Sequence, residues 1–234
     1  MFNPPDYSAK HNFINPKLGP WSVLLYLHRR KILESVKKAI PYLNGRLLDV
    51  GCGNKPYSTL LNVDEYIGVD VAESLHDKAK FDYIFDGINL PFQNNEFNSI
   101  ICTEVMEHCS DPLALMMEMF RVLKTNGHAL ITVPMFINHH EIPFDFRRFT
   151  YYGLKKIAED AGFDVIRIDS RGNHLSVTIA AIYTSVLNLL SRRPFSDILY
   201  WLIFPFTCFL LFFDKKINTY PPSVSLGWQM LIKK

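Results

Sequence analysis

The stretch Leu47-Leu48-Asp49-Val50-Gly51-Cys52-Gly53-Asn54-Lys55-Pro56 decides how this chain is read. An apolar strand runs into a glycine turn that is expected to open a helix. Gly51 and Gly53 can take backbone angles closed to other residues, and without a Cβ they let a ligand approach the main chain. A dinucleotide site would favour G-x-G-x-x-G, with the helix start under a pyrophosphate. Here the third position is Pro56. Asp49 suits a cationic amino-acid group better than a diphosphate, because opposite charges attract.

Outward from this turn, short apolar runs alternate with helical patterns, the signature of βαβ units and a largely parallel sheet. Strands are expected at 46–50, 66–70, 83–86, 99–103 and 128–133, with a sixth at 163–168 and a closing one near 225–232. An amphipathic helix is expected over 21–40. Another begins at Ser110 or Asp111, with Leu113, Met116, Met117, Phe120 and Leu123 facing inward and Asn126-Gly127 as its stop. Thr150 is expected to cap a third, with Leu154, Ile157, Ala158 and Ala161 inward. Asp70 ends the second strand about 20 residues after the glycines, where a carboxylate can accept from two ribose hydroxyls. Asp86, followed by Gly87, is placed to reach an adenine; either carboxylate could instead cap a turn.

With 234 residues and 48% hydrophobic content, the chain can bury one substantial core. A net charge of +2 without any Lys/Arg block argues against a nucleic-acid partner. The four cysteines, Cys52, Cys102, Cys109 and Cys208, have no CxxC spacing and read as free thiols of a reducing compartment. Residues 1–20 are polar and lack the apolar centre of a secretion signal, so the expected location is cytoplasmic. The chain divides into an N-terminal extension (1–20), a main domain (21–170), an apolar helical insertion (171–222) and a final strand (223–234).

Taken together, 47–56, 66–70, Asp86-Gly87-Ile88-Asn89-Leu90-Pro91-Phe92, 97–108 and 121–134 resemble the successive motifs of class I S-adenosylmethionine-dependent methyltransferases of the methyltransferase type 11 group. The resemblance implies an α/β, Rossmann-like seven-stranded sheet of order 3-2-1-4-5-7-6. Its last strand would be antiparallel, with helices on both faces and the apolar insertion before that strand. It also implies S-adenosylmethionine as cofactor across the carboxyl ends of the first strands. Asp49, Gly51, Cys52 and Gly53 would hold the methionine part, Asp70 and Val71 the ribose, and Asp86 with Gly87 the adenine. Thr103 and Glu104 would sit near the sulfonium. Asn98 departs from the family, many of whose members carry Asp there.

On the acceptor side, methyl transfer from a sulfonium is an in-line displacement that needs alignment, and a base only if the nucleophile must lose a proton. His108 is one base candidate, since its ordinary pKa lies near neutrality; capping the turn before Pro112 is its other reading. The loop 135–150 supplies His140 and Glu141 as polarising or base residues, and Arg147 or Arg148 as a clamp for an anionic acceptor. A salt-bridged lid of Glu141, Asp145 and the arginines is the alternative. No metal is expected: His139 and His140 are consecutive, so their side chains diverge in an extended loop.

The run 198–213, with Pro205 inside it, is too short to span hydrocarbon. Flanked by Arg192, Arg193, Lys215 and Lys216, it reads as an interfacial helix peripheral to an anionic membrane, or as a face buried on the core or in a homodimer. The expected function is methyl transfer, O-methylation favoured, to a small-molecule or lipid-linked acceptor. The rival is a catalytically silent protein of the same fold that docks at a membrane as a partner.

Overall fold

The structure, a computed structural model, describes residues 11–74, 76–189, 195–214 and 224–234. Its elements run α1 (His11–Ile14), α2 (Val23–Ala39), β1 (Arg46–Val50), β2 (Glu65–Val71), β3 (Tyr83–Phe85), β4 (Phe97–Thr103), α3 (Pro112–Val122), β5 (Leu123–Pro134), α4 (Tyr151–Asp160), β6 (Asp164–Ser170), α5 (His174–Leu189), α6 (Phe195–Asp214) and β7 (Gly227–Lys233).

The sheet order is β3-β2-β1-β4-β5-β7-β6. β7 is antiparallel to both β5 and β6, and the remaining pairs are parallel. This is the expected order, and composition explains it: β1, β4 and β5 carry near-continuous apolar runs because helices cover both faces of a parallel sheet. Order reverses at β1, which pairs with β2 on one side and β4 on the other. Strand ends at such a reversal diverge and leave a crevice for a ligand.

Local chemistry sets the helix starts. Asp111 accepts from the Ala114 N–H at 3.0 Å and Pro112 opens α3; Thr150 accepts from the Gly153 N–H at 3.1 Å to cap α4. Tertiary pairing decides where α3 stops. The helix ends at Val122, and Leu123 is already in β5, paired with Phe97. The helix's buried face is Leu115, Met116, Met119 and Val122, while Met117, expected inside, is 54% exposed. A second correction concerns the glycine turn. Residues 51–60 form successive turns and no helix. Lys55 takes φ +50 and Pro56 lacks an N–H, so helical pairing cannot propagate.

The insertion folds back on the main domain. α5 and α6 pack on α2, with Val23, Leu27, Ile179, Tyr183, Tyr200, Leu211 and Leu226 in one buried cluster. Tyr183 stacks on Tyr200 at 5.5 Å, and Trp21 meets Trp201 edge-on at 5.6 Å. The opposite face of α6 leaves Ile198, Leu202, Phe206, Phe209 and Phe212 exposed. Among the described residues, no helix is long and apolar enough to cross a membrane. Arg192, Arg193, Lys215 and Lys216 lie outside the described residues.

Candidate functional site

At the crevice lies a cavity of about 400 Å³, within the usual range for small-ligand sites. Gly51, Asp70, Val71, Asp86, Gly87 and Glu104 form one wall; His108, Cys109, Glu141, Ile142, Phe144 and Phe146 form the other. Six of the ten residues expected to bind the cofactor are therefore on its surface. Asp49, Cys52, Gly53 and Thr103 stand behind it.

The first wall is a cradle cut to leave space. Gly51 has φ +67, and a Cβ there would lie 2.3 Å from Val105 Cγ2, so no other residue fits this turn. Asp70 fixes the turn, accepting from the Gly53 and Val71 N–H groups at 2.8 Å each. Its burial raises its pKa, against the pull of those two donors. Asp49 is fully buried in β1 and accepts from the Tyr66 hydroxyl. Burial, above all, pushes its pKa up to about 7 despite that hydrogen bond. Asp86 does cap a turn: its carboxylate accepts from the Ile88 N–H at 2.9 Å and from the Asn89 backbone and side-chain amides at 2.6 Å each. The turn it holds includes Gly87 at φ +89.

Around the cavity, titratable groups gather from two distant segments: Glu104, His108 and Glu141 line it, and Glu107 and His140 pack against His108. Glu104 follows β4 in a left-handed conformation, φ +57, which a non-glycine side chain holds only where its surroundings fix it. Its Oε1 accepts from the Thr132 hydroxyl at 2.8 Å and from Arg171 Nη2 at 2.7 Å. Glu107 is fully buried, and neither of its oxygens has a hydrogen-bond partner. Burial pushes its carboxyl well above the usual range, and the nearby Glu104 charge adds to that. His108 and His140 meet with their Nε2 atoms 3.2 Å apart. Burial lowers the His108 pKa. Glu141 Oε2 lies 4.0 Å from His108 Nε2, and Glu141 too is left-handed, φ +50. All three residues expected to be catalytic, His108, His140 and Glu141, thus converge.

His139 turns away from His140: it is largely exposed and meets Asp145 at 3.3 Å. Arg148 is bound to the Asp145 carboxylate. This holds Asp145 far below the usual carboxylate range. Arg147 donates to the Cys109 carbonyl and, at 3.2 Å, to that of Ser110. Both arginines brace the loop and neither lines the cavity; of the salt-bridged lid, the described residues show the Asp145–Arg148 pair. Arg171 was missed by the sequence reading: it is buried at the start of the insertion and no periodicity or spacing marks it. The apolar Ile142, Phe144 and Phe146 of the acceptor wall could have been found from their density in the loop.

A family model described as "Methyltransferase domain" matches residues 26–168. The chain is 27% identical over 113 residues to the ubiquinone biosynthesis O-methyltransferase of Xylella fastidiosa strain 9a5c, covering 43% of this chain and 46% of that protein. It is 29% identical over 121 residues to the demethylmenaquinone methyltransferase of Staphylococcus saprophyticus, covering 43% and 52%. The chain spans about half the length of these curated relatives. Among solved structures, a SAM-dependent methyltransferase from Archaeoglobus fulgidus superposes with a TM-score of 0.53 at 19% identity, covering 87% of this chain and 94% of that one. The [4+2]-cyclase SpnF gives 0.54 at 19% identity, covering 88% and 80%. At these identities the structures establish the shared fold.

Proposed function

The chain belongs to the methyltransferase-domain family, whose cofactor is S-adenosylmethionine, and from that premise we propose that it methylates an oxygen of a small-molecule or lipid-linked acceptor. One observation carries the reading: a single cavity is lined by a glycine and carboxylate cradle and, facing it, by His108 and Glu141, with His140 and the buried Glu107 packed against His108.

The residues present fit the cofactor. Gly51 lines the cavity with bare backbone packed under Val105, where no Cβ fits, and Asp70 is held at the rim by the turn it stabilises. When bound, S-adenosylmethionine supplies an electrophilic methyl group on a sulfonium. Gly51, Asp70 and Gly87 would hold it, and Phe144 and Phe146 would exclude water from the acceptor side. Glu141, beside the imidazole pair, takes the proton from an acceptor hydroxyl at its Oε2. Oxygen as the acceptor atom is supported by the relative named for O-methylation in ubiquinone biosynthesis.

A lipid-linked acceptor fits the outer face of α6, where five large apolar side chains stand exposed at helical spacing. A helix of this kind, with basic residues flanking it in the sequence, suits insertion into one leaflet of an anionic membrane.

Calorimetric titration with S-adenosylmethionine, followed by mass spectrometry of metabolites and lipids from cells with and without the gene, tests the reading. Saturable binding and a species differing by one methyl group are expected. Asp70→Ala should weaken cofactor binding, whereas Glu141→Gln should lower turnover with that affinity kept. Absence of cofactor binding would leave the silent-protein reading in its place.

A further inference from the structure

His108 and His140 present bare nitrogens to one another. The His108 Nδ1 lies 3.2 Å from the Phe144 carbonyl oxygen, and His140 Nδ1 lies 3.2 Å from that of Asn138. With each Nδ1 donating to its carbonyl, the tautomer those contacts favour, each Nε2 is left as a lone pair. Those lone pairs face each other at 3.2 Å. Glu107 Oε1 lies 3.7 Å from one and 3.9 Å from the other. Three potential ligand atoms therefore converge, and neither oxygen of the buried Glu107 finds a hydrogen-bond partner.

From this we propose that Glu107, His108 and His140 bind a divalent first-row transition cation, with one coordination position left open toward the cavity. Four-coordinate bonds of about 2.0–2.1 Å place neighbouring ligand atoms roughly 3.3 Å apart. The imidazole pair is already at that spacing, and Glu107 needs to move in by about half an ångström to reach it. Two imidazoles and one carboxylate select zinc, cobalt or manganese over magnesium or calcium, which favour all-oxygen shells. The Nδ1-to-carbonyl bonds are the outer contacts that fix ligating histidines in their rotamers. Glu104 is not a ligand: Thr132 and Arg171 hold its carboxylate. His108 and Glu141 belong to the cavity wall, so the open position faces the acceptor side.

The chemical role rests on the methyltransferase reading: the cation would take the acceptor's hydroxyl oxygen and lower its pKa, the proton passing to Glu141. Cation binding itself does not depend on that reading. The test uses the whole chain, stripped with a chelator and titrated with Co²⁺ alone. One equivalent is expected to bind, with visible d–d absorption typical of a low-coordinate site. His140→Gln and Glu107→Gln should each weaken binding at least about 100-fold, while circular dichroism and S-adenosylmethionine calorimetry stay unchanged for His140→Gln. Absence of Co²⁺ binding, or binding that His140→Gln leaves intact, overturns the proposal. Failure of cofactor binding with Co²⁺ binding kept would instead sink the donor assignment and leave the cation site standing.

Discussion

Arg171 Nη2 donates to Glu104 Oε1 at 2.7 Å and to the Val133 carbonyl at 2.6 Å, joining the first residue of the insertion to the ends of β4 and β5. The guanidinium is buried, and Gly227 leaves the space for it: a Cβ there would lie 2.2 Å from the same nitrogen. Removing one partner of a buried pair strands the other charge, which costs about 3–5 kcal/mol. Arg171→Met should therefore lose about 3 kcal/mol in urea unfolding, the low end because Glu104 keeps some solvent contact. The double variant with Glu104→Gln should recover part of it. A loss near zero for the single variant would remove the pair from any structural role.

Gly51→Ala should fail on two counts that can be separated. A left-handed Ala costs about 1–2 kcal/mol, and the clash with Val105 adds about 1–3 kcal/mol. Adding Val105→Ala should relieve the clash and leave the backbone cost, while S-adenosylmethionine affinity stays low because the new methyl occupies the cradle. Full recovery of affinity in the double variant would show that the cradle does not depend on a bare backbone.

The buried Asp49 predicts a pH dependence with a definite sign. Burial raises its folded pKa to about 7, whereas an unfolded Asp titrates near 3.9. Between these values the folded state holds a proton that the unfolded state has released, so this group's contribution to stability falls as pH rises from about 4 to about 7. The contribution is full below the unfolded pKa and lost above the folded one. Asp49→Asn keeps an acceptor for the Tyr66 hydroxyl and cannot titrate. The stability of wild type relative to Asp49→Asn should drop over that window by up to about 4 kcal/mol, read from denaturation midpoints at successive pH values. A flat difference would mean that Asp49 is already ionised in the fold.

The exposed face of α6 predicts binding to anionic vesicles. Phe206→Ser with Phe209→Ser should abolish co-sedimentation with phosphatidylserine-containing liposomes and change stability by less than about 1 kcal/mol, since both rings are exposed. Sedimentation as a dimer, lost in the same variant, would assign the face to a second copy.

The strand and bare turn of Leu47 to Gly53 and the carboxylates ending the next strands were legible because their chemistry is local: an apolar run, a glycine turn, an acidic residue at a strand tip; the helix expected after the turn is absent. The caps Asp111 and Thr150 were legible for the same reason, each bonding an N–H three residues on. The end of α3 was not, because Leu123 joins β5 through pairing with Phe97, a contact that no periodicity within the helix encodes. Nor did spacing reveal that His140 meets Glu107 and His108, or that Arg171 meets Glu104. Sheet register and the loop after β5 decide those meetings, since side-chain groups interact over a few ångströms whatever their separation along the chain. Sequence alone thus marked the residues expected to hold the cofactor, each at the tip of a strand it could be read from locally. Tertiary structure decided which groups of the segments after β4 and β5 meet, since only the assembled sheet brings those segments together.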